Sequence, residues 1–117
     1  MPHVVLKGKT TIENIFNKLE TLFIRNNAQI LKTNEMYLER GKNSILIDSL
    51  AIEGKAKTTF LAMISGREDG VVIRLYPRIE VEKTNGVKQI LAEIANNIKT
   101  KFPELRIEET NLAEYLK

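Results

Sequence analysis

The chain has no cysteine and no tryptophan, and its one histidine is His3. Without cysteine there can be no disulfide framework, no thiolate zinc site and no cysteine nucleophile. A single histidine cannot supply paired imidazole ligands, so we predict no metal site and no cofactor. No apolar run approaches the ~20 residues of a membrane-spanning helix. The first nine residues also lack the pattern of a secretory leader, so we expect a cytoplasmic protein.

Charged residues are abundant but nearly balanced. Of the 117 residues, 28% are charged and 43% are apolar, and the net charge is +3. This apolar fraction and length predict one globular domain over residues 1–117. Lysine, glutamate and isoleucine are abundant, whereas glutamine, cysteine and tryptophan are few or absent. This bias is typical of hyperthermophile proteins, so we expect a thermophilic source. The modest basic excess is compatible with nucleic-acid binding but does not require it.

The stretch from Val71 to Glu82 alternates apolar and polar residues along most of its length. Because successive side chains of a strand point to opposite faces, this pattern predicts a strand with one buried face. Further strands are predicted upstream over Pro2–Lys9, Gln29–Lys32, Met36–Arg40, Ser44–Glu53 and Ala56–Ile64. The segment Thr33-Asn34-Glu35 is either a turn between two strands or a bulge within one longer strand.

Two helices are predicted from apolar residues at helical spacing. The first begins at a capping-box pattern, with Glu13 three places after Thr10, and ends near Asn26. Its apolar face consists of Ile12, Ile15, Phe16, Leu19, Leu22 and Phe23. The second has Asn85 as its N-cap and ends before Pro103. Its apolar face consists of Val87, Ile90, Leu91, Ile94, Ile98 and Phe102.

The predicted order is strand, helix, four strands, helix and a short tail with a last strand around Leu105 and Ile107. This order predicts an α+β two-layer sandwich, in which an antiparallel sheet carries both helices on one face. The order resembles a single repeat of the TATA-box-binding-protein fold and, more loosely, the helix-grip fold of lipid-carrier domains. The first resemblance implies a DNA-binding sheet surface with phenylalanine wedges, and only Phe60 lies in a predicted strand here. The second implies a cavity for an apolar ligand.

Few residues have the pattern of a catalytic site. Gly8-Lys9-Thr10 matches only the end of a phosphate-binding loop, because His3 stands where the loop needs its first glycine. Asp48 lies within an apolar strand, either as a buried acid, as a group on the wetter face or as the partner of a lysine. No second carboxylate is placed by the sequence to act with it. We therefore predict that the protein is not an enzyme.

Basic and aromatic residues alternate on one predicted strand. Arg74, Tyr76 and Arg78 share a face at intervals of about 7 Å, as expected for a rise of ~3.3 Å per residue. Guanidinium groups and a ring in this arrangement are typical of a surface that binds single-stranded nucleic acid, with Lys55 and Lys57 nearby. Cross-strand pairing with acidic residues would explain the same pattern without a ligand. The candidate partners are Glu35, Glu39 and Glu53.

The central strands have apolar residues on both faces, although a sheet with one wet face should alternate cleanly. The residues on the second face are Leu46, Leu50, Ile52, Leu61, Met63 and Val72. We expect this face to be covered by a second copy of the chain, by the C-terminal tail or by a small apolar ligand. The leading hypothesis is a non-enzymatic binding or scaffold domain that forms a homodimer. Nucleic-acid binding and carriage of a small apolar ligand are the alternatives.

Overall fold

The computed structural model describes residues 1–116, which form an antiparallel sheet of seven strands and two helices. The predicted α+β class is confirmed. The strands are β1 His3–Lys7, β2 Phe23–Arg25, β3 Gln29–Leu38, β4 Ser44–Glu53, β5 Ala56–Arg67, β6 Gly70–Leu75 and β7 Arg106–Thr110. The helices are α1 Ile12–Lys18 and α2 Asn85–Lys101, and a 3-10 turn follows at Ala113–Tyr115. The strand order in the sheet is β2-β3-β4-β5-β6-β1-β7.

The core lies between the helices and one face of the sheet. The predicted apolar face of α2 is buried along its whole length, from Val87 to Phe102. It packs with alternate residues of the strands, such as Ile45 and Ile47 of β4 and Ile64 of β5, which have no exposed surface. Burial of each such side chain contributes about 1.5–3 kcal/mol, so this face of the sheet holds the layers together.

The first helix is shorter than predicted, because it ends at Lys18 rather than near Asn26. Its N-cap is Thr11, one residue after the predicted Thr10, and the Thr11 hydroxyl accepts a hydrogen bond from the Asn14 amide at 3.1 Å. The backbone turns extended at Leu19, with φ −68° and ψ 137°, so α1 has 7 residues, about two turns.

The chain after α1 joins the sheet as the edge strand β2. The Leu22 amide donates to the hydroxyl of Thr33 at 2.8 Å, and the Thr33 amide donates to the Leu22 carbonyl at 3.0 Å. These two bonds with β3 satisfy backbone groups that a longer helix would have paired internally. Phe23, which was predicted to lie in the helical core stripe, is instead 65% exposed. That prediction is wrong.

The structure decides between the two alternatives for β3 and places the end of β6 earlier than predicted. The register of β3 against β4 shifts between Thr33 and Met36, so the interruption in β3 is a bulge. The strand predicted to run to Glu82 ends at Leu75. Pro77 explains this end, because its nitrogen carries no hydrogen to continue the ladder.

The second helix is capped by Thr84 rather than Asn85, since the Thr84 hydroxyl accepts from the Val87 amide at 3.2 Å.

The C-terminal segment lies on the helix side of the sheet. Strand β7 pairs with β1, and the 3-10 turn that follows contacts α2. The Tyr115 hydroxyl donates to the Asn85 side chain at 2.7 Å, and Leu112 is buried in the core. Up to Leu116, the tail therefore does not cover the second face of the sheet, which removes one of the three occupants expected from the sequence.

Gly70 provides a test of the β5–β6 hairpin. It has a φ of +142°, and a Cβ at this position would lie directly against the Leu6 carbonyl oxygen of the neighbouring strand. We expect Gly70→Ala to lower the free energy of unfolding by about 3 kcal/mol or more, measured by urea denaturation. The matched control is Gly54→Ala, where φ is +64° but no atom lies within 4 Å of the added Cβ. A control loss of about 1 kcal/mol is expected, and equal losses at the two sites would contradict the close approach.

Candidate interaction surface

The sheet face opposite the core, hereafter the open face, is defined by the cross-strand register. Leu46 lies opposite Met63, Asp48 opposite Leu61, and Val72 opposite Ser65. Paired residues of an antiparallel ladder project to the same side, so these residues share one face. All six predicted interface residues lie on it, namely Leu46, Leu50, Ile52, Leu61, Met63 and Val72. The structure therefore brings together the whole apolar set that the alternation pattern indicated.

Aromatic residues extend this surface towards the β2 edge. Tyr37 lies opposite Leu46 and is 55% exposed, and Phe23 lies opposite Lys32. Neither residue was predicted to lie on this surface. Phe23 was concealed by its fit to a helical stripe, whereas the alternation around Tyr37 in β3 was a usable signal, since its neighbours Met36 and Leu38 pack against the core.

The charges on the open face are predominantly basic. Arg25, Lys32, Lys57 and Arg74 project to this side, and each pairs across the ladder with an apolar residue or with His3. Asp48 is the one carboxylate that β4, β5 and β6 place on this face. Within residues 1–116, no ion pair connects any of these five side chains to another group. The open face thus combines an apolar surface with unpaired charges.

Arg74 occupies the centre of this arrangement. It lies between Met63 of β5 and His3 of β1, and its Nε atom is buried without a hydrogen-bond partner among the described residues. An unmade hydrogen bond of a buried charged group costs free energy, and a carboxylate or phosphate that binds the accessible part of the half-buried guanidinium would offset part of this cost. Arg74 is therefore the strongest indication of a partner on the open face.

Two of the three acidic residues suggested as cross-strand partners for the arginine stripe have other roles. Glu39 accepts hydrogen bonds from the amides of Gly41 at 2.6 Å and Asn43 at 3.2 Å, and so holds the β3–β4 turn. Glu53 accepts from the Gly86 amide at 2.7 Å and anchors the start of α2. The alternative explanation of the stripe, pairing with these acids, is wrong for Glu39 and Glu53.

The five residues predicted to bind nucleic acid are not gathered into one stripe. Arg74 is on the open face, but Tyr76 follows the end of β6 and Arg78 lies in an exposed turn. Lys57 is six residues along β5 from the residue opposite Arg74, a distance of roughly 20 Å. Lys55 lies in the turn between β4 and β5. The stripe required a strand that continued past Pro77, and the strand does not continue.

The comparisons with protein-family models, curated proteins and solved structures found no match for this chain. The resemblance to the TATA-box-binding and helix-grip folds therefore rests on element order alone.

Other candidate sites are occupied by structural interactions. The His3 ring contacts the Glu109 carboxylate at 3.1 Å, which connects β1 to β7, and the Met1 carbonyl at 2.9 Å within the N-terminal segment. Gly8 donates its amide to the Asp69 carbonyl at 3.2 Å, as part of the passage from β1 to α1. In the part of the chain that the structure describes, no three His, Asp or Glu residues are grouped to hold a metal ion. None of its helices is long and apolar enough to cross a membrane.

A shallow cleft of about 250 Å³ lies at the end of the open face, between the β2–β3 and β4–β5 turns. Its lining includes the polar side chains of Arg25, Asn26, Asn27 and Gln29, with Ile30 and Ile52 on the sheet side. A polar rim of this kind is a poor match for the apolar ligand that the carrier hypothesis requires.

The assignment of the two faces can be tested at neighbouring positions of β4. Ile45 has no exposed surface, whereas Leu46 is half-buried on the open face. We expect Ile45→Lys to unfold the protein, because an unpaired charge would enter the core at a cost of several kcal/mol. Leu46→Lys should keep the far-UV circular dichroism spectrum and a cooperative thermal transition. Unfolding of both variants would show that Leu46 also lies within a closed core.

Proposed function

We propose that this protein is a non-enzymatic binding or scaffold domain that self-associates as a homodimer through the open face. The observation that carries the proposal is the shared position of the six aliphatic side chains, from Leu46 to Val72, on a face that neither helix nor the tail covers. In a two-layer arrangement with one wet face these positions would be polar. Contact with a second copy removes this apolar surface from water.

The size of the open face suits a stable dimer. Strand β4 has ten residues, so its length is about 33 Å, and seven strands at ~4.8 Å spacing are about 29 Å wide. Allowing for the shorter outer strands, the projected area is on the order of 800 Å², which is the area that one partner contributes to a standard protein interface. The content of the face also fits, because aromatic residues, methionine and arginine are enriched in interfaces.

The edges of the sheet are less suited to association than its face. Strand β7 carries Arg106, Glu108 and Glu109, and charged side chains discourage strand addition at an edge. The opposite edge, β2, has three residues. A short strand offers few backbone groups for pairing with another chain.

Replacement of the two central apolar residues of β5 tests the dimer. We expect Leu61→Glu combined with Met63→Glu to give a monomer, because four carboxylates would otherwise be buried in the interface. Met63 is 9% exposed, so far-UV circular dichroism has to show that the variant is folded. Analytical ultracentrifugation and native mass spectrometry measure the oligomeric state. The matched control, Ile79→Glu with Ile107→Glu, changes two exposed apolar residues away from the open face and should leave the dimer intact. An unchanged dimer in the Leu61/Met63 variant would refute the proposed interface.

A second candidate function is binding of single-stranded nucleic acid at the β2–β3 end of the open face. The observation that favours it is a cluster of exposed aromatic and unpaired basic residues, formed by Phe23, Arg25, Lys32 and Tyr37. Aromatic rings on a sheet surface stack with bases, and neighbouring basic groups bind phosphates. This cluster replaces the predicted Arg74-Tyr76-Arg78 stripe as the basis of the nucleic-acid hypothesis.

Fluorescence anisotropy with a labelled oligonucleotide tests the second candidate. Binding should weaken as salt rises, and Phe23→Ala with Tyr37→Ala should raise Kd by at least about tenfold, since each base–ring stack contributes ~1–3 kcal/mol. Arg78→Ala serves as the control, because Arg78 lies outside the cluster. If Arg78→Ala weakens binding and the aromatic pair does not, the β2–β3 cluster is not the binding site.

The cytoplasmic location, the thermophilic source, the absence of enzymatic activity and carriage of an apolar ligand remain predictions from the sequence. The proposed dimer requires none of them.

A further inference from the structure

We propose that the dimer axis passes over β5 between Leu61 and Met63, and that Asp48 of each copy pairs with Arg74 of the other. This inference rests on the proposed homodimer and specifies its geometry. The dimer would then contain two equivalent ion pairs on either side of an apolar centre.

The register of three neighbouring strands carries the inference. Asp48 of β4 lies opposite Leu61, and Arg74 of β6 lies opposite Met63, so the two charged residues flank β5 on its two sides. They are two strands apart and offset by two residues along the strands, which gives a separation of about 12 Å. That distance explains why they do not pair within one copy. Their midpoint lies on β5 at the level of Ala62.

A two-fold axis generates the missing contacts. When two identical faces meet, a two-fold axis can lie in the interface plane. The axis that crosses the line from Asp48 to Arg74 at its midpoint and at a right angle exchanges the two positions. Asp48 of one copy then lies over Arg74 of the second copy, and the reverse contact forms by symmetry. Packed sheets are ~10 Å apart, a gap that an extended arginine and an aspartate span together.

Desolvation explains why the charges would need to meet. Closing the apolar face around Arg74 and Asp48 removes water from both groups, and an unpaired buried charge is strongly unfavourable. Arg74 already has a buried Nε without a partner in the isolated chain. Asp48 is the one carboxylate that the three central strands offer on this face. Pairing of Asp48 with Arg74 therefore determines how the two sheets are aligned in the dimer.

The same axis brings the β2–β3 end of one copy over the β1–β7 end of the other, because both ends lie at the same distance from β5 in the strand order. Lys32 of one copy then lies near Glu109 of the second copy, which is on the open face in contact with His3. The basic end of the face meets an acidic residue, so the arrangement is complementary beyond its two central ion pairs.

Charge reversal tests the arrangement by creating an obligate heterodimer. Asp48→Arg alone places two arginines together at each contact, and Arg74→Asp alone places two aspartates together. Each variant should have a dimer Kd at least about 100-fold higher than the unmodified protein, since apposed like charges are strongly unfavourable. When the two variants are mixed, every contact again has one arginine and one aspartate. Native mass spectrometry should therefore detect a one-to-one heterodimer with affinity within about tenfold of the unmodified dimer.

Arg78→Asp is the matched control, because it makes the same substitution at an exposed residue outside the sheet. This variant should dimerise normally and should gain nothing from mixing with Asp48→Arg. A mixture of the two central variants that stays monomeric would overturn the inference. If that mixture stays monomeric while the unmodified protein dimerises and the Leu61/Met63 variant does not, the axis is refuted and the dimer through the open face stands. A monomeric unmodified protein would refute both proposals.

A neutral pair of variants guards against misfolding of the charge-reversed chains. Asp48→Asn and Arg74→Gln should each raise the dimer Kd about tenfold or more, and the double variant should be no weaker than the weaker single variant. If the fold-increase in dimer Kd of the double variant equals the product of the two single increases, the residues do not contact one another and the inference is overturned.

Discussion

The charge of Asp48 decides which face of β4 packs against the helices. Both faces of this strand are apolar, so hydrophobicity alone does not distinguish its correct register from a slip by one residue. A slip would place the Asp48 carboxylate in the core, at a cost of several kcal/mol unless it were protonated or paired. Ser49, which does lie on the core face, is tolerated because its hydroxyl donates to the Ile47 carbonyl at 3.0 Å. Because β5 pairs with β4, the orientation of β4 also determines which residues of β5 lie on the open face.

The elements that were predicted correctly are those whose apolar periodicity can be recognised from their own residues alone. The stripe of α2 and the alternation of β4 and β5 each specify their own buried face. The α1–β2 region was mispredicted because Leu22 and Phe23 fit a helical period. The hydrogen bonds to Thr33 and the pairing of β2 with β3 place that segment in the sheet instead. Competition between a local period and a tertiary contact cannot be decided from the segment alone.

The candidate site also has a part that could be predicted from single segments and a part that could not. The six aliphatic residues were predictable, since a face of a strand can be inferred from alternation without knowledge of its neighbours. The relation between Asp48 and Arg74 was not predictable, because it depends on two registers at once, that of β4 against β5 and that of β5 against β6. The arginine stripe failed for a local reason, since the missing amide of Pro77 ends the ladder before Arg78.

The two candidate functions compete for one surface. A dimer built on the axis over β5 covers the β2–β3 end of each copy with the β1–β7 end of the other, so Phe23 and Lys32 would be in the interface and inaccessible to a nucleic acid. Nucleic-acid binding would therefore require the monomer, and ligand and second copy would exclude one another by mass action. The aliphatic centre of the face favours the dimer. Leucine and isoleucine offer a base no aromatic ring to stack on, whereas they pack well against an identical surface.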